Sequence, residues 1–254
     1  MIYFNFLIIY FQILAFSITF IYNIPIETLM KTHAFTARKD AAMLHILPSA
    51  ASADPLDLRS VLRTFQGTGR LHLDIEDGNF INNITFGLKT VSAIAREFPG
   101  TLDVHLMVRE AETWLEPLAR LRVRAVCAHI EALAYPARFL RRAQRLGMHA
   151  GLAFNLKVRP EEVLSYTGFL DYVLVMTSEP DGETQDFFPC AFSRISAFRA
   201  LLPDRIPVWC DGGVRPEHLS RLKQCGVENA VMGRALFSAD DPAALLAALE
   251  RSVN

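Results

Sequence analysis

From Met43 onward, hydrophobic positions fall into two alternating patterns. Short apolar runs, the mark of strands buried on both faces, are followed by segments whose apolar residues recur every three or four positions. The runs expected as strands are His45–Pro48, Leu71–Ile75, Leu102–Met107, Ala125–Ile130, His149–Phe154, Tyr172–Met176, Pro207–Cys210 and Asn229–Met232. Helical spacing fits Pro55–Phe65, Lys89–Phe98, Glu112–Leu121, Pro136–Leu146, Glu161–Tyr166, Phe192–Leu202, Glu217–Cys225 and Asp241–Ser252. Eight strands alternating with helices over about 210 residues predict an α/β chain folded as a single (β/α)₈ TIM barrel. An open doubly wound sheet fits less well, because no G-x-G-x-x-G turn follows the first strand.

In such a barrel the reacting groups lie at the C-terminal ends of strands. The polar or soft residues expected there are Ser49, His72, Asp74, His105, His129, Asn155, Met176 and Asp211. Four are groups a divalent metal would choose: His72 and Asp74, two apart and so on one face of the second strand, His105 on the third, and Asp211 closing the seventh. Two imidazoles and two carboxylates suit one divalent ion of zinc, iron, manganese or cobalt. Each residue also has a plainer reading. A lone strand histidine such as His129 or His149 is commonly a hydrogen-bonded core residue. Asn155 fits a turn, Asp103 fits a cap or an ion pair near the start of its strand, and an Asp before Gly-Gly fits a turn. Convergence of four ligand-type groups at one barrel end favours the metal.

Composition changes this picture mainly at the N-terminus. The 254 residues are 51% hydrophobic with a formal charge of −1, which gives no nucleic-acid footprint. Arg138, Arg141, Arg142 and Arg145 fit a solvated helix face. The four cysteines (Cys127, Cys190, Cys210, Cys225) have no C-x-x-C spacing, so a reducing, cytoplasmic setting is expected. Residues 1–42 form a hydrophobic extension with no charge before Glu27, apolar enough over 1–26 to span a bilayer with the barrel on the cytoplasmic side. Yet 18 of those first 26 residues are Ile, Phe, Tyr or Asn, encoded by A/T-rich codons, whereas from Met43 the chain holds 20 Arg against 3 Lys. That contrast favours translation from an upstream, non-native start over a membrane anchor, with the barrel domain running from 43 to 254.

The motifs ILPSAASADP, LHLDIEDGNFINNITFG, LDVHLMV, AHIEAL, LVMTSEP, WCDGGV and VMGRALF, in this order, resemble the ribulose-phosphate 3-epimerase family from Met43 to about Leu249. The resemblance implies a metal held by His72, Asp74, His105 and Asp211, with Asp74 and Asp211 as the acid/base pair. It implies that Ser49, Met107, Met176, Gly212, Gly213, Gly233 and Arg234 line the substrate site, and that the chain forms a homo-oligomer. Two departures stand out. Glu76 occupies the place of a third family methionine. The glycine-rich phosphate loop is replaced by residues 177–185, where Asp181 and Glu183 bring negative charge.

The expected activity is metal-dependent 3-epimerisation of a pentulose or hexulose phosphate through an enediolate. The alternatives are an epimerase of a non-phosphorylated ketose, which Asp181 and Glu183 would favour, and a non-catalytic sugar-binding protein. A related barrel family that decarboxylates sugar phosphates uses D-x-K-x-x-D; here Asp74-Ile75-Glu76-Asp77 lacks the lysine.

Overall fold

A computed structural model of the chain describes residues 43–180 and 185–254. The expectations for the N-terminal extension and for Asp181 and Glu183 lie outside the described residues. Eight strands run in chain order: β1 His45–Pro48, β2 Arg70–Glu76, β3 Thr101–Met107, β4 Ala125–His129, β5 His149–Phe154, β6 Tyr172–Met176, β7 Val208–Asp211 and β8 Val227–Met232. The helices are α1 Leu58–Thr64, α2 Leu88–Glu97, α3 Leu115–Arg120, α4 Pro136–Arg145, α5 Ala191–Leu201, α6 Pro216–Gln224, α7 Arg234–Phe237 and α8 Pro242–Val253.

All strand pairings are parallel, in the order β1-β8-β7-β6-β5-β4-β3-β2. A single parallel bridge between Ser49 and His72 joins the two edges, so the sheet closes into the expected barrel. Side chains alternate accordingly. On β2, Leu71, Leu73 and Ile75 pack outward among the helices, while His72, Asp74 and Glu76 point the other way, into the barrel. Leu47, Cys127, Tyr172, Leu174 and Trp209 belong to a second, smaller apolar cluster that fills the interior. Tyr172 stacks on Trp209 with ring centroids 4.2 Å apart, and Gly151 makes room: a Cβ there would lie 2.6 Å from the Tyr172 ring.

At the N-terminal end the barrel is floored by charge. Asp103 is fully buried between the guanidinium groups of Arg70, at 3.2 Å, and Arg124, at 2.8 Å. Arg70 also donates to Asn229 Oδ1 at 2.8 Å, and both arginines lie over the Trp209 ring. Asp103 therefore pairs near the start of its strand, as its position suggested. His149, by contrast, is exposed: it is the first residue of β5, on the rim, and not a core histidine.

Element boundaries shift where local chemistry demands it. The expected first helix begins as a 3₁₀ turn, Pro55–Asp57, capped by Asp54, which accepts from the Leu56 amide. The α-helix of the third unit starts only at Leu115, which puts Pro117 in the first turn, where its missing N–H costs nothing. A 3₁₀ turn, Pro160–Tyr166, stands where a short helix was expected, and the four-residue α7 was not anticipated. The basic face of α4 is solvated as expected, with Arg138 and Arg142 paired to Glu112 and Glu116 on the neighbouring unit. Among the described residues, no helix is long and apolar enough to cross a membrane.

Removing the shared carboxylate of the floor would leave two partly buried guanidinium groups without their partner. Asp103→Leu is expected to lower the unfolding free energy by about 3 kcal/mol, read from the denaturant midpoint. A change within about 0.5 kcal/mol would show that the floor contributes no more than a surface pair.

Candidate active site

The parallel register of β2 and β3 sets Asp74 beside His105 and Glu76 beside Met107. The Ser49–His72 bridge brings β1 to the same place, and Ser49 Oγ donates to Asp74 Oδ2 at 2.5 Å. The other oxygen, Asp74 Oδ1, lies 3.3 Å from His72 Nε2 and 3.2 Å from His105 Nδ1. Asp211 ends β7, across the barrel from β3, and its Oδ2 lies 3.2 Å from the same His105 Nδ1. One imidazole nitrogen thus meets two carboxylates delivered from strands three apart around the barrel.

The four groups offer one ligand atom each, all within 4.8 Å of one another. Donors about 2.1 Å from one ion in a tetrahedron would be about 3.4 Å apart. The pairs at 3.2 and 3.3 Å match that spacing, and the set has the chemistry of a divalent metal site. His72 adds an independent sign. Its ring is 1% exposed, yet neither nitrogen has a hydrogen-bond partner. A buried imidazole normally satisfies its nitrogens. Nε2 approaches Asp74 Oδ1 to 3.3 Å without making a hydrogen bond, as two ligands of one ion would.

Behind this cluster, His105 Nε2 lies 2.9 Å from His129 Nε2, and His129 Nδ1 is 3.5 Å from Glu131 Oε2. Burial drives the His129 pKa down to about 4, so the ring is neutral near pH 7. A neutral His129 holds His105 through this Nε2–Nε2 contact, which leaves His105 Nδ1 turned to the two carboxylates. The plainer reading of His129 as a core residue holds for its burial and omits this role in orienting His105.

Electrostatics separate the two carboxylates. Burial would raise Asp74, but the charge of the nearby His72 and the hydrogen bond with His105 outweigh it and hold the group well below the usual carboxylate range. Burial and the adjacent Asp74 charge instead raise Asp211. His105, opposed by burial, is carried up to about 9 by its bonds to Asp211 and Asp74. Burial, then the Asp74 charge, brings Glu76 to about 7.

A cavity of about 760 Å³ opens above the cluster. Asp74 and Asp211 reach its wall, while His72 and His105 lie behind them. Ser49, Met107, Met176, Gly212, Gly213, Gly233 and Arg234 all line it. Gly212 (φ +116°) and Gly213 (φ +63°) take conformations that favour glycine, and side chains there would strike Ser178 and the Gln185 backbone. Arg234 Nη2 donates to the Gln185 carbonyl at 3.0 Å, tying the start of α7 to the loop after β6. Asn155 does not join the site: its side chain accepts from the Leu156 amide, as a turn residue does. Reasoning from the sequence missed Asn83, Thr85 and Ser178 on the cavity wall. Asn83 had a usable signal, an Asn-Asn pair following the metal-ligand strand, but such pairs read first as turns.

Comparison with known proteins gives a consistent assignment. The model of the "Ribulose-phosphate 3 epimerase family" matches residues 45–237. The chain is 32% identical to the ribulose-phosphate 3-epimerase of Mycobacterium tuberculosis over 209 residues, covering 81% of this chain and 91% of that protein. It is also 32% identical to the enzyme of that name from Schizosaccharomyces pombe, covering 82% and 93%. Among solved structures, a mutant tryptophan synthase α-subunit from Pyrococcus furiosus superposes with a TM-score of 0.61 at 17% identity, covering 85% of this chain and 98% of that one, a likeness of fold alone. The chain belongs to the ribulose-phosphate 3-epimerase family.

Proposed function

We propose that this protein is a metal-dependent 3-epimerase of a ketose phosphate, a pentulose or hexulose phosphate. The carrying observation is the convergence of Asp74 and Asp211, from strands three apart, on His105 Nδ1, both at the cavity wall. Inverting a carbon beside a carbonyl requires taking its proton from one face and returning a proton to the other. Two carboxyl groups reaching the substrate from different strands do this without moving it. Their opposite pKa displacements, Asp74 lowered and Asp211 raised, fit a division of labour in which Asp74 accepts the C3 proton and Asp211 supplies one to the other face. In the reverse direction the roles exchange.

His72, Asp74, His105 and Asp211 would hold one divalent ion of zinc, iron, manganese or cobalt. When bound, such an ion supplies Lewis-acid polarisation of the substrate carbonyl and neutralises charge on the enediolate oxygens. Ser49 holds the second Asp74 oxygen, and Met107 and Met176 give the planar sugar an apolar, polarisable wall. A phosphate is supported by the backbone of Gly212, Gly213 and Gly233 and by the Arg234 guanidinium, all at one side of the cavity.

Asp74→Asn and Asp211→Asn are each expected to reduce solvent deuterium exchange at C3 of D-ribulose 5-phosphate by ~10²–10⁴-fold. Exchange at the wild-type rate in both variants would rule out the two-base mechanism.

Metal affinity should also depend on pH with a definite sign. The ligand atom of His105 carries a proton below about pH 9, and that proton must leave before the nitrogen can bind an ion. Calorimetric titration of chelator-treated protein with Zn²⁺ or Mn²⁺ is therefore expected to show affinity rising about tenfold or more per pH unit between pH 7 and 9. A flat profile over that range would place the ion on other ligands.

A further inference from the structure

We propose that Glu76, held in place by Asn83, reads the C1 hydroxyl of the ketose phosphate, at the end remote from the phosphate, and so sets the site's choice among ketose phosphates at that carbon. The inference rests on the epimerase reading above and names a specificity-determining residue of that site.

Glu76 is the last residue of β2, two positions beyond Asp74 and on the same face. It is 5% exposed, and that exposure is to the cavity it lines with Asn83, Thr85 and Met107. Its Oε2 accepts from Asn83 Nδ2 at 2.6 Å. Among the described residues, this is the one hydrogen bond its carboxyl group makes. A carboxylate has about four acceptor sites, and those Asn83 leaves free open on the cavity. The neighbouring Met107 offers no donor. Donors from a ligand would complete the group.

The acceptor is also held rigidly. The Glu76 amide donates to Thr85 Oγ1 at 3.1 Å, and the Thr85 hydroxyl donates in turn to the Asp74 carbonyl at 2.5 Å. The Gly78 amide donates to the Asn83 carbonyl at 2.8 Å. Asp77 accepts from the amides of Asn79, Phe80 and Arg109. The loop that carries Asn83 is thus tied at both ends to β2 and across to the segment after β3. A pre-positioned acceptor discriminates more sharply than a mobile one.

Its place in the barrel decides which part of the sugar it meets. Gly212 and Gly213 follow β7, three strands round from β2, and Gly233 and Arg234 follow β8. With phosphate on that side and C3 between Asp74 and Asp211, the C1 end is directed toward β2. The carboxyl groups of Asp74 and Glu76 there suit a neutral hydroxyl donor and oppose a second phosphate.

The test compares D-xylulose 5-phosphate with 1-deoxy-D-xylulose 5-phosphate, which differ only in the C1 hydroxyl. Equilibrium binding to Mn²⁺-loaded protein and deuterium exchange at C3 are measured for wild type, Glu76→Gln and Glu76→Met, with metal content confirming that each variant is folded. Wild type is expected to prefer the hydroxylated sugar by about 10²-fold or more. Glu76→Met should reduce that preference below about tenfold by losing affinity for the hydroxylated sugar, with Glu76→Gln between. Equal handling of the two sugars by wild type, or an undiminished preference in both variants, would overturn the proposal. A Glu76-dependent preference in binding without C3 exchange would instead leave this inference standing and refute the epimerase reading. If neither sugar binds, both fail.

Discussion

Two carboxylates buried against one imidazole nitrogen is the arrangement on which the site depends. Buried charges of like sign cannot be held together without positive charge between them. Here His105 supplies part of it, and the approach of His72 and Asp74 toward a common point leaves room for an ion to supply more. Much of the local architecture serves this contact. The closing bridge between Ser49 and His72 fixes Asp74, the β2–β3 register fixes His105 beside it, and His129 fixes which His105 nitrogen faces inward.

The barrel separates stability from chemistry along its axis. At the N-terminal end, Asp103 is neutralised by two arginines that lie over Trp209, and Gly151 lets Tyr172 fill the interior above them. At this end charge is balanced by ion pairing within the barrel. At the C-terminal end the His72 ring is left without hydrogen-bond partners and the Glu76 carboxyl opens on the cavity. Structures tolerate that cost where a ligand completes the bonding. The same strands carry both layers: β2 contributes Arg70 to the floor and His72, Asp74 and Glu76 to the mouth.

The barrel was legible in the sequence because its signals are periodic and repeated. Eight apolar runs separated by amphipathic segments leave few other topologies. The ligand-type residues could be named because His72 and Asp74 share a strand face and because Asp211 precedes two glycines. Their mutual distances were not legible, since they depend on closure between β1 and β2 and on β7 lying across from β3. His129 shows the limit well. From the sequence it is a buried strand histidine, and only its 2.9 Å approach to His105 reveals what it orients. Helix starts were misjudged at Pro55 and Pro117 because proline ring geometry, which periodicity does not register, sets where an α-helix can begin. Glu76 stood out as a departure from the family pattern, but its bond to Asn83 required the loop to fold back.

The central claim is that His72, Asp74, His105 and Asp211 act together on one divalent ion above which the sugar is inverted. Anomalous diffraction from crystals of Mn²⁺- or Zn²⁺-loaded protein tests it most directly. The account predicts a single ion within about 2.0–2.2 Å of ligand atoms from all four residues, with His105 bound through Nδ1. An ion located elsewhere, or crystals without one in which His105 Nδ1 still bridges Asp74 and Asp211, would contradict it.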